Sequence, residues 1–460
     1  MNETREIARF VYGTKYEDLP PDLVGEFKIF VLDALGAGFI GSLQPWAKMV
    51  IEMVRGLGGK REASVINQSW KSDISRAALA NGTMIGSFEC EPLTGSHAAG
   101  TVLPAVMAVC EREHLDGKGF LTALVLGTEV SARIARTAVG LETERGFHNP
   151  GTQGPLAAAV AVGKLYGFDE ATLVNALGIA GSCAAGLLEF AWEGANTKRI
   201  HLGRASQLGL ESALLAQKGF TGPSTILEGR YGYYNAFSRP PNMEKLLDGI
   251  GQRWAVQPLS LKSFATHVTH QAVVQAIQTF KKSRELDPKK ITRVAIRGNK
   301  HIMEERHSVR DPQSVMGGQY SLPFTTAVAL TRDMSNPLLY DEQALRDPVV
   351  RDLANRVELI PVVEESGHSE PGAFSEEVSL EVGDESHRLP IVARKGSPKN
   401  PFTWEDVCEK FRRYAGRVIG KRQVSAIIKA VEDLNRCEDM ANIASLVAAR
   451  RGMGGSVEGR

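Results

Sequence analysis

Roughly the first 260 residues carry one dominant pattern, the spacing of successive amphipathic helices. Apolar side chains recur three and four residues apart, as at Val24, Phe27 and Val31, which places them on one helix face. The stretches from Leu156 to Tyr166 and from Val174 to Leu188 consist largely of small residues, which let helix axes approach closely. The pattern predicts a large helical body with closely packed central helices.

The pattern changes after Ala265. Residues from Ile291 to Arg297 alternate with the two-residue period of a strand, and Val357 to Ile360 is a second short strand candidate. Residues Val378 to Val382, a glycine-containing turn and a return through Leu389 have the pattern of a β-hairpin. These features predict a smaller α+β region.

The helical pattern resumes at Thr403, a favourable N-cap residue, with Glu405 and Asp406 in the first turn. We therefore predict a mainly α fold in which a smaller α+β lid domain, residues 267–400, is inserted into a helical body domain, residues 1–266 and 401–460. A cleft between two such domains is the usual place for a ligand.

The composition excludes several classes of protein. Among the 460 residues, 54 Lys and Arg balance 53 Asp and Glu, whereas nucleic-acid-binding domains carry a basic excess. The five cysteines are scattered without disulfide or metal-ligand spacing, which is typical of a reducing compartment. No signal peptide is evident, and no apolar stretch reaches the roughly 18 residues of a membrane span. We therefore expect a cytoplasmic protein that binds neither nucleic acid nor membrane.

One short segment, Glu193 to Gly203, concentrates positive charge between two stretches of small apolar residues. Lys198, Arg199, His201 and Arg204 lie in it or directly after it. A cationic cluster among buried helices is unfavourable unless an anion compensates it, and a small substrate with several carboxylates would be such an anion. The alternative is a helix start whose basic side chains point into solvent, and the segment alone does not decide between the two.

Two histidines, His97 and His148, lie in Gly- and Pro-rich turns that lead into small-residue helices. Helix N-termini attract anions, and a histidine in that position can transfer protons near neutral pH. The alternative is that each histidine only caps a helix or completes a turn. The recurrence of this setting, together with the cationic segment, favours a functional role.

Lys262, followed by His267 and His270, lies at the predicted seam between body and lid. At this seam Lys262 would complete a carboxylate-binding site. The alternative is a solvated surface lysine, which is the commoner case. Because His97, His148 and His201 lack acidic partners at metal-ligand spacing, we predict no metal site among them. The sequence also lacks a P-loop, a dinucleotide fingerprint after a strand and a nucleophile elbow.

Several short motifs occur in order along nearly the whole chain. They are Ala80–Gly82, Ser96–Pro104, Gly146–His148, Asn175–Gly181, Gly194–Gly203, Gly219–Pro223, Leu227–Arg230, Tyr320–Phe324 and Lys395–Pro401. Each motif alone is weak evidence, but the ordered set resembles the MmgE/PrpD family, which includes 2-methylcitrate dehydratase, cis-aconitate decarboxylase and iminodisuccinate epimerase.

The resemblance implies a helical body with an inserted α+β lid, a homodimer, and a site that needs no metal or organic cofactor. Family members act on small di- or tricarboxylates by dehydration, decarboxylation or epimerisation. The positions that match the family's active-site residues are His97, His148, Lys198 and Lys262. Further residues expected to bind the substrate are His201, Arg204, Glu91 and Ser321.

Negative charge develops next to a carboxylate in each of these reactions, and fixed cations stabilise it. We expect Lys198 and Lys262 to hold the substrate carboxylates. One of His97 and His148 would act as the base and the other as the acid, and the sequence does not assign the two roles.

Two departures from the family bear on the reaction. Ser87 stands where the decarboxylase has a catalytic aspartate, with Glu89 and Cys90 in place of a pair of aspartates, and Phe324 matches a tyrosine that the decarboxylase uses. Because these changes remove proton-transferring groups, we predict dehydration of the 2-methylcitrate type rather than decarboxylation of cis-aconitate. The alternatives are epimerisation of a dicarboxylate, decarboxylation of the cis-aconitate type, and a catalytically inactive, carboxylate-binding member.

Overall fold

The computed structural model describes residues 2–138, 141–238, 243–362 and 375–449. Up to residue 247 the chain is helical apart from a small antiparallel pair of strands, Ala63–Ser64 and Lys71–Ser72. The helices of this part are Glu3–Gly13, Pro21–Gly41, Pro45–Leu57, Ile74–Ile85, Thr94–Thr101, Leu103–Glu113, Gly117–Ala138, Leu141–Glu144, Asn149–Leu165, Glu170–Cys183, Phe190–Glu193, Thr197–Gln217, Tyr233–Phe237 and Glu244–Leu247.

The remaining part of the chain mixes helices and strands, as predicted. Its helices are Gln271–Ser283, Glu305–Ser308, Val315–Tyr320, Leu322–Thr331, Glu342–Arg346, Pro348–Asn355, Trp404–Ala415, Lys421–Glu432 and Ala441–Val447. Its strands are Ile291–Gly298, Val357–Pro361, Ser375–Val382 and Glu385–Pro390.

The four strands form one sheet whose order explains the predicted hairpin. Ile291–Gly298 lies between Val357–Pro361, its parallel neighbour, and Ser375–Val382, its antiparallel neighbour. Glu385–Pro390 then pairs with Ser375–Val382 across the turn at Gly383, whose positive φ of 59° suits a residue without a Cβ. The strand and hairpin predictions are therefore confirmed.

A large hydrophobic core joins the N-terminal helices to the C-terminal ones. It extends from Ile7 to Leu261 and includes Val407 to Val447. The helix Trp404–Ala415, capped by Thr403 as predicted, packs along Pro21–Gly41. A second core surrounds the four-stranded sheet and also takes in side chains of the helical part, such as Phe88 and Tyr414. The division into body and lid domains stays a prediction.

One predicted boundary was wrong, because the helix expected from Val174 to Leu188 ends at Cys183. The cationic segment extends into the helix Thr197–Gln217, and the last helix among the described residues ends at Val447. Residues 450–460 of the predicted body lie outside the described part. No helix among the described residues is long and apolar enough to cross a membrane.

Candidate active site

The helix Thr197–Gln217 determines where the cationic segment points. Gly203 lies so close to the helix Ile74–Ile85 that an added Cβ would collide with the Leu79 carbonyl oxygen and the Thr83 hydroxyl. Because the two helices pack so closely, the first turn of Thr197–Gln217 lies inside the protein. Lys198 and Arg199 are therefore buried, each 1% exposed. The alternative of a solvated helix start therefore does not apply to these two residues.

Glu89 joins the two lysines that the sequence placed in the site. One of its carboxylate oxygens lies 2.7 Å from Lys262 Nζ, and the other forms an ion pair with Lys198 Nζ. All three side chains are about 1% exposed. Burial lowers the pKa of Lys262, and burial together with the nearby Lys262 charge holds the pKa of Lys198 well below its ordinary value. The buried ion pair keeps both ammonium groups in one place.

His97 is oriented by a second buried carboxylate, that of Glu91. The His97 Nδ1 atom lies 2.8 Å from Glu91 Oε1, which leaves Nε2 as the nitrogen available to a substrate. Burial opposes ionisation of Glu91, but the Lys262 charge and the His97 hydrogen bond outweigh it and lower the pKa of Glu91 to about 2. The backbone at Ser96 and His97 has positive φ, which is strained for non-glycine residues and is common at functional sites.

His148 forms a pair with His201. Their Nδ1 atoms lie 3.0 Å apart, so one ring donates to the other, and the edge of each ring packs against Phe190. His148 is the N-cap residue of Asn149–Leu165, and its backbone amide donates to the Gly186 carbonyl. Burial holds the pKa of His148 well below its ordinary value, with His201 and His97 adding to the effect. Both rings are therefore neutral at pH 7.

These groups form one contiguous cluster. The Tyr320 ring lies 5.8 Å from Lys198 Nζ and 4.8 Å from the His267 ring, measured to ring centroids. Burial, helped by the Lys198 charge, lowers the pKa of His201, and burial, helped by the Glu91 charge, raises the pKa of Tyr320. The structure thus brings together His97, His148, Lys198, Lys262, His201 and Glu91.

Two of the predicted substrate-binding residues have other contacts. Arg204 is exposed, donates to Gln207 Oε1 at 2.6 Å and lines a cleft of about 380 Å³ on the outer side of His201. The Ser321 hydroxyl accepts from the Phe324 amide as a helix N-cap and donates to the Val309 carbonyl. Neither side chain contacts the buried lysines, because one faces solvent and the other closes a helix end.

The departures Ser87 and Phe324 have less effect on the cluster than the sequence suggested. The Ser87 hydroxyl donates to the Thr83 carbonyl in the preceding helix turn, at 2.7 Å. The Phe324 ring is buried in the second hydrophobic core, near Tyr340. A tyrosine nevertheless faces the lysines, since Tyr320 lies beside Lys198.

Sequence reasoning missed the role of Lys410, on the helix Trp404–Ala415. Its ammonium group donates to the carbonyl oxygens of Cys90 and Lys262 and lies 2.7 Å from Asp33 Oδ1. It therefore fastens the backbone next to Glu89 to the backbone of Lys262. No sequence motif indicates this contact, because the residues are more than 140 positions apart along the chain.

A three-histidine group borders the cluster, and the sequence indicated only two of its members. His267, His270 and His307 bring one ring nitrogen each within 4.8 Å of the others, a set that could hold a metal ion. His307 Nδ1 lies 3.0 Å from the Tyr320 carbonyl and His270 Nδ1 lies 3.2 Å from the Thr266 hydroxyl. The nearby Lys262 and Arg306 charges help burial to lower the pKa of His267 and disfavour an additional cation. The surroundings fit neutral imidazoles better than a metal ion.

Comparisons with known proteins show the family of the chain. Residues 5–246 match the MmgE/PrpD N-terminal domain, and residues 264–436 match the MmgE/PrpD C-terminal domain. The chain belongs to the MmgE/PrpD family. The earlier resemblance is thereby confirmed, and the two matched regions leave few residues of the chain outside the family's domains.

Cis-aconitate decarboxylases are among the relatives of this MmgE/PrpD protein. It is 26% identical over 473 residues to the cis-aconitate decarboxylase of Aspergillus terreus (strain NIH 2624 / FGSC A1156), an alignment that covers 96% of this chain and 95% of the relative. It is 27% identical over 470 residues to the human cis-aconitate decarboxylase, with 96% and 94% covered. The likeness therefore spans essentially the full length of both chains.

Proposed function

We propose that this protein is a lyase that removes a proton α to a carboxylate of a small di- or tricarboxylate. The observation that carries the proposal is the arrangement of two separate histidine systems around one pair of buried lysines. His97 is oriented by Glu91, and His148 is paired with His201. The full-length likeness to cis-aconitate decarboxylases supports a polycarboxylate substrate and lyase chemistry.

In the proposed reaction Lys198 and Lys262 stabilise the negative charge that develops beside the substrate carboxylate, an effect worth about 3 kcal/mol per group in comparable sites. His148, a neutral ring, takes the α-proton. His97 delivers a proton from Nε2 to the leaving hydroxyl, because the Glu91 carboxylate holds the ring and stabilises its imidazolium form. The steps transfer only protons and water, and the chain itself supplies the fixed cations, so the proposal includes no cofactor.

Dehydration is the reaction that uses both histidine systems, since one proton must leave the carbon and another must reach the hydroxyl. Decarboxylation needs only a proton donor. Strong binding of a substrate carboxylate by cations stabilises that carboxylate and so opposes its loss as carbon dioxide. Epimerisation also uses two proton-transferring groups and is the second candidate. The alternative of an inactive carboxylate-binding protein is less consistent with a His97 side chain that is 18% exposed and oriented by a buried carboxylate.

A substrate panel tests the proposal. The protein is incubated with 2-methylcitrate, citrate, cis-aconitate and iminodisuccinate in D₂O and followed by ¹H NMR. We expect a new olefinic product for dehydration. Deuterium incorporation without water loss would indicate epimerisation, and loss of a carboxyl group would indicate decarboxylation. Thermal stabilisation by polycarboxylates without any turnover would overturn the enzymatic proposal.

The homodimer and the cytoplasmic location stay predictions. Light scattering coupled to size-exclusion chromatography measures the first directly. A mass near that of one 49.9 kDa chain would contradict it.

A further inference from the structure

Arg306 is a cation beside the active-site cluster that the proposed reaction does not yet use. It lies on the short helix Glu305–Ser308, and its side chain is 14% exposed. Its guanidinium carbon lies 5.9 Å from the centre of the Trp192 ring. Because this side chain is mostly buried but still reaches the surface, a small anion that enters from solvent can contact it.

Two neighbours of this guanidinium belong to segments that contact the cluster. The ring of His307, the next residue along the chain, lies 4.5 Å from that of His267, measured between centroids. Trp192 belongs to the helix Phe190–Glu193, whose first residue packs against the His148 ring at 4.9 Å. The two short helices also pack against each other. The guanidinium therefore lies between two segments that both reach the site.

The charge on Arg306 acts on the histidines of the cluster rather than on its lysines. Burial lowers the pKa of His148, and the Arg306 charge is among those that add to this effect. The charges that add to the effect of burial on the pKa of Lys198 are instead those of Lys262 and Arg199. Arg306 therefore lies on the histidine side of the cluster, apart from the cations that the cluster already contains.

Glu304 uses only one edge of the guanidinium. Its Oε2 atom accepts from Arg306 Nε at 2.8 Å and lies 2.7 Å from Nη2, while its Oε1 atom lies 2.7 Å from His301 Nδ1. A guanidinium has five N–H donors and can bind a carboxylate bidentately. Among the described residues no hydrogen bond involves Arg306 Nη1. Glu304 thus holds the side chain in place, and the outer edge, formed by Nη1 and Nη2, can bind a further carboxylate.

We infer that Arg306 is a further substrate-binding residue, which holds a second carboxylate of the substrate while Lys198 and Lys262 hold the first. The inference rests on the proposed function, whose site it extends. Cations on two sides of the substrate would keep the carbon between its carboxylates beside the histidines that transfer protons.

Binding of tricarballylate tests the inference. This probe is citrate without its hydroxyl group, so the protein cannot dehydrate it during the measurement. Dissociation constants are measured by isothermal titration calorimetry at constant ionic strength for the wild type, Arg306→Gln, Arg306→Lys and the control Arg412→Gln. Arg412 is also paired with a glutamate, Glu405 at 2.6 Å, but is exposed on the helix Trp404–Ala415.

We expect Arg306→Gln to bind tricarballylate at least about tenfold more weakly than the wild type, because a charge-assisted hydrogen bond is lost. Arg306→Lys keeps the charge but not the bidentate geometry, so its loss should be smaller. The control should stay within about twofold of the wild type, because exposed ion pairs contribute little. Circular dichroism checks that each variant is folded.

Each other result contradicts a definite statement. Equal affinity of the wild type and a folded Arg306→Gln variant overturns the inference and leaves the proposed function intact, and so does an equal loss in the control. If Arg306→Gln does not fold, a crystal structure of the wild type with tricarballylate decides. We expect a carboxylate oxygen about 3 Å from an Arg306 Nη atom, and a bound ligand without this contact overturns the inference. If the wild type binds no polycarboxylate, the proposed function fails and the inference fails with it.

Discussion

His148 and His201 contact each other through their Nδ1 atoms, at 3.0 Å, although they lie 53 positions apart along the chain. One ring must donate and the other accept, so the protonation of His148 Nδ1 is coupled to that of His201 Nδ1. His201 is therefore a positioning residue for His148, and the cleft beyond it, about 380 Å³ in volume, lies on the other side of the pair.

This relationship predicts different effects for two substitutions of His201. His201→Leu leaves His148 Nδ1 without its partner, and we expect kcat to fall by at least about tenfold, within the range for a misoriented acid–base group. His201→Asn retains a hydrogen-bonding group and should recover most of kcat, with KM nearly unchanged in both variants. Equal losses in the two variants would show that His201 acts through packing alone.

Stability should fall as the pH is lowered from about 6.5 to 5. Burial holds the pKa of His148, His267 and His270 well below 6.5 and lowers that of His307 to about 4. Below pH 6.5 the unfolded chain therefore binds more protons than the folded one, which costs up to about 1.4 kcal/mol per pH unit for each histidine. Burial raises the pKa of Asp33 to about 6 and also raises that of Glu26, and these two carboxyl groups act in the opposite direction but are outnumbered by the histidines.

Urea unfolding at a series of pH values measures this dependence. We expect the free energy of unfolding to decrease steadily between pH 6.5 and pH 5, and to decrease less steeply in His307→Gln, which lacks one of the neutral histidines. A flat profile in this interval would contradict the burial of these rings as neutral groups.

The pair of Lys410 and Asp33 should be essential for stability and for the position of Lys262. Lys410→Met leaves the Asp33 carboxylate buried without its cation, which typically costs about 3–5 kcal/mol. The double variant Asp33→Asn/Lys410→Met removes the unpaired charge, and we expect it to recover part of the stability.

Activity should not recover with stability in that double variant, because the Cys90 and Lys262 carbonyls still lack their donor. Urea unfolding and steady-state kinetics on the same samples separate the two effects. Recovery of both together would assign Lys410 a purely structural role.

The close approach of Gly203 to the helix Ile74–Ile85 predicts a severe effect for Gly203→Ala. Its Cβ would collide with backbone and side-chain atoms of that helix, displacing Lys198 and His201, and we expect a loss of about 2 kcal/mol in stability and a clear loss of activity. Gly25→Ala is the matched control, since Gly25 is helical and its Cβ would meet nothing within 4 Å. The control should be neutral or slightly stabilising. A similar effect of both substitutions on stability and activity would argue against this packing constraint.

The helices and strands could be predicted from the sequence because the patterns that indicate them are local. Helical periodicity, the Thr403 N-cap and the hairpin at Gly383 each depend on residues only a few positions apart. The histidines and lysines of the site were found because each lies in a distinctive segment or matches a family position.

The relationships among site residues could not be predicted in this way. Glu89 was noted only as a departure, and its contact with Lys262 joins residues 173 positions apart. His307 has no distinctive neighbours, and it joins the site only because a carbonyl oxygen, that of Tyr320, orients its ring. The exposure of Arg204 depends on the face of the helix on which it lies, which the local sequence does not reveal.

The central claim is that two histidine systems around one lysine pair perform the proton transfers, and turnover by His97→Ala and His148→Ala tests it most directly. The measurement is kcat for the wild type and both variants, on the substrate that the NMR panel identifies, with circular dichroism as the check on folding. The account predicts that each folded variant loses at least about 100-fold in kcat. Turnover near the wild-type value in either folded variant would contradict it.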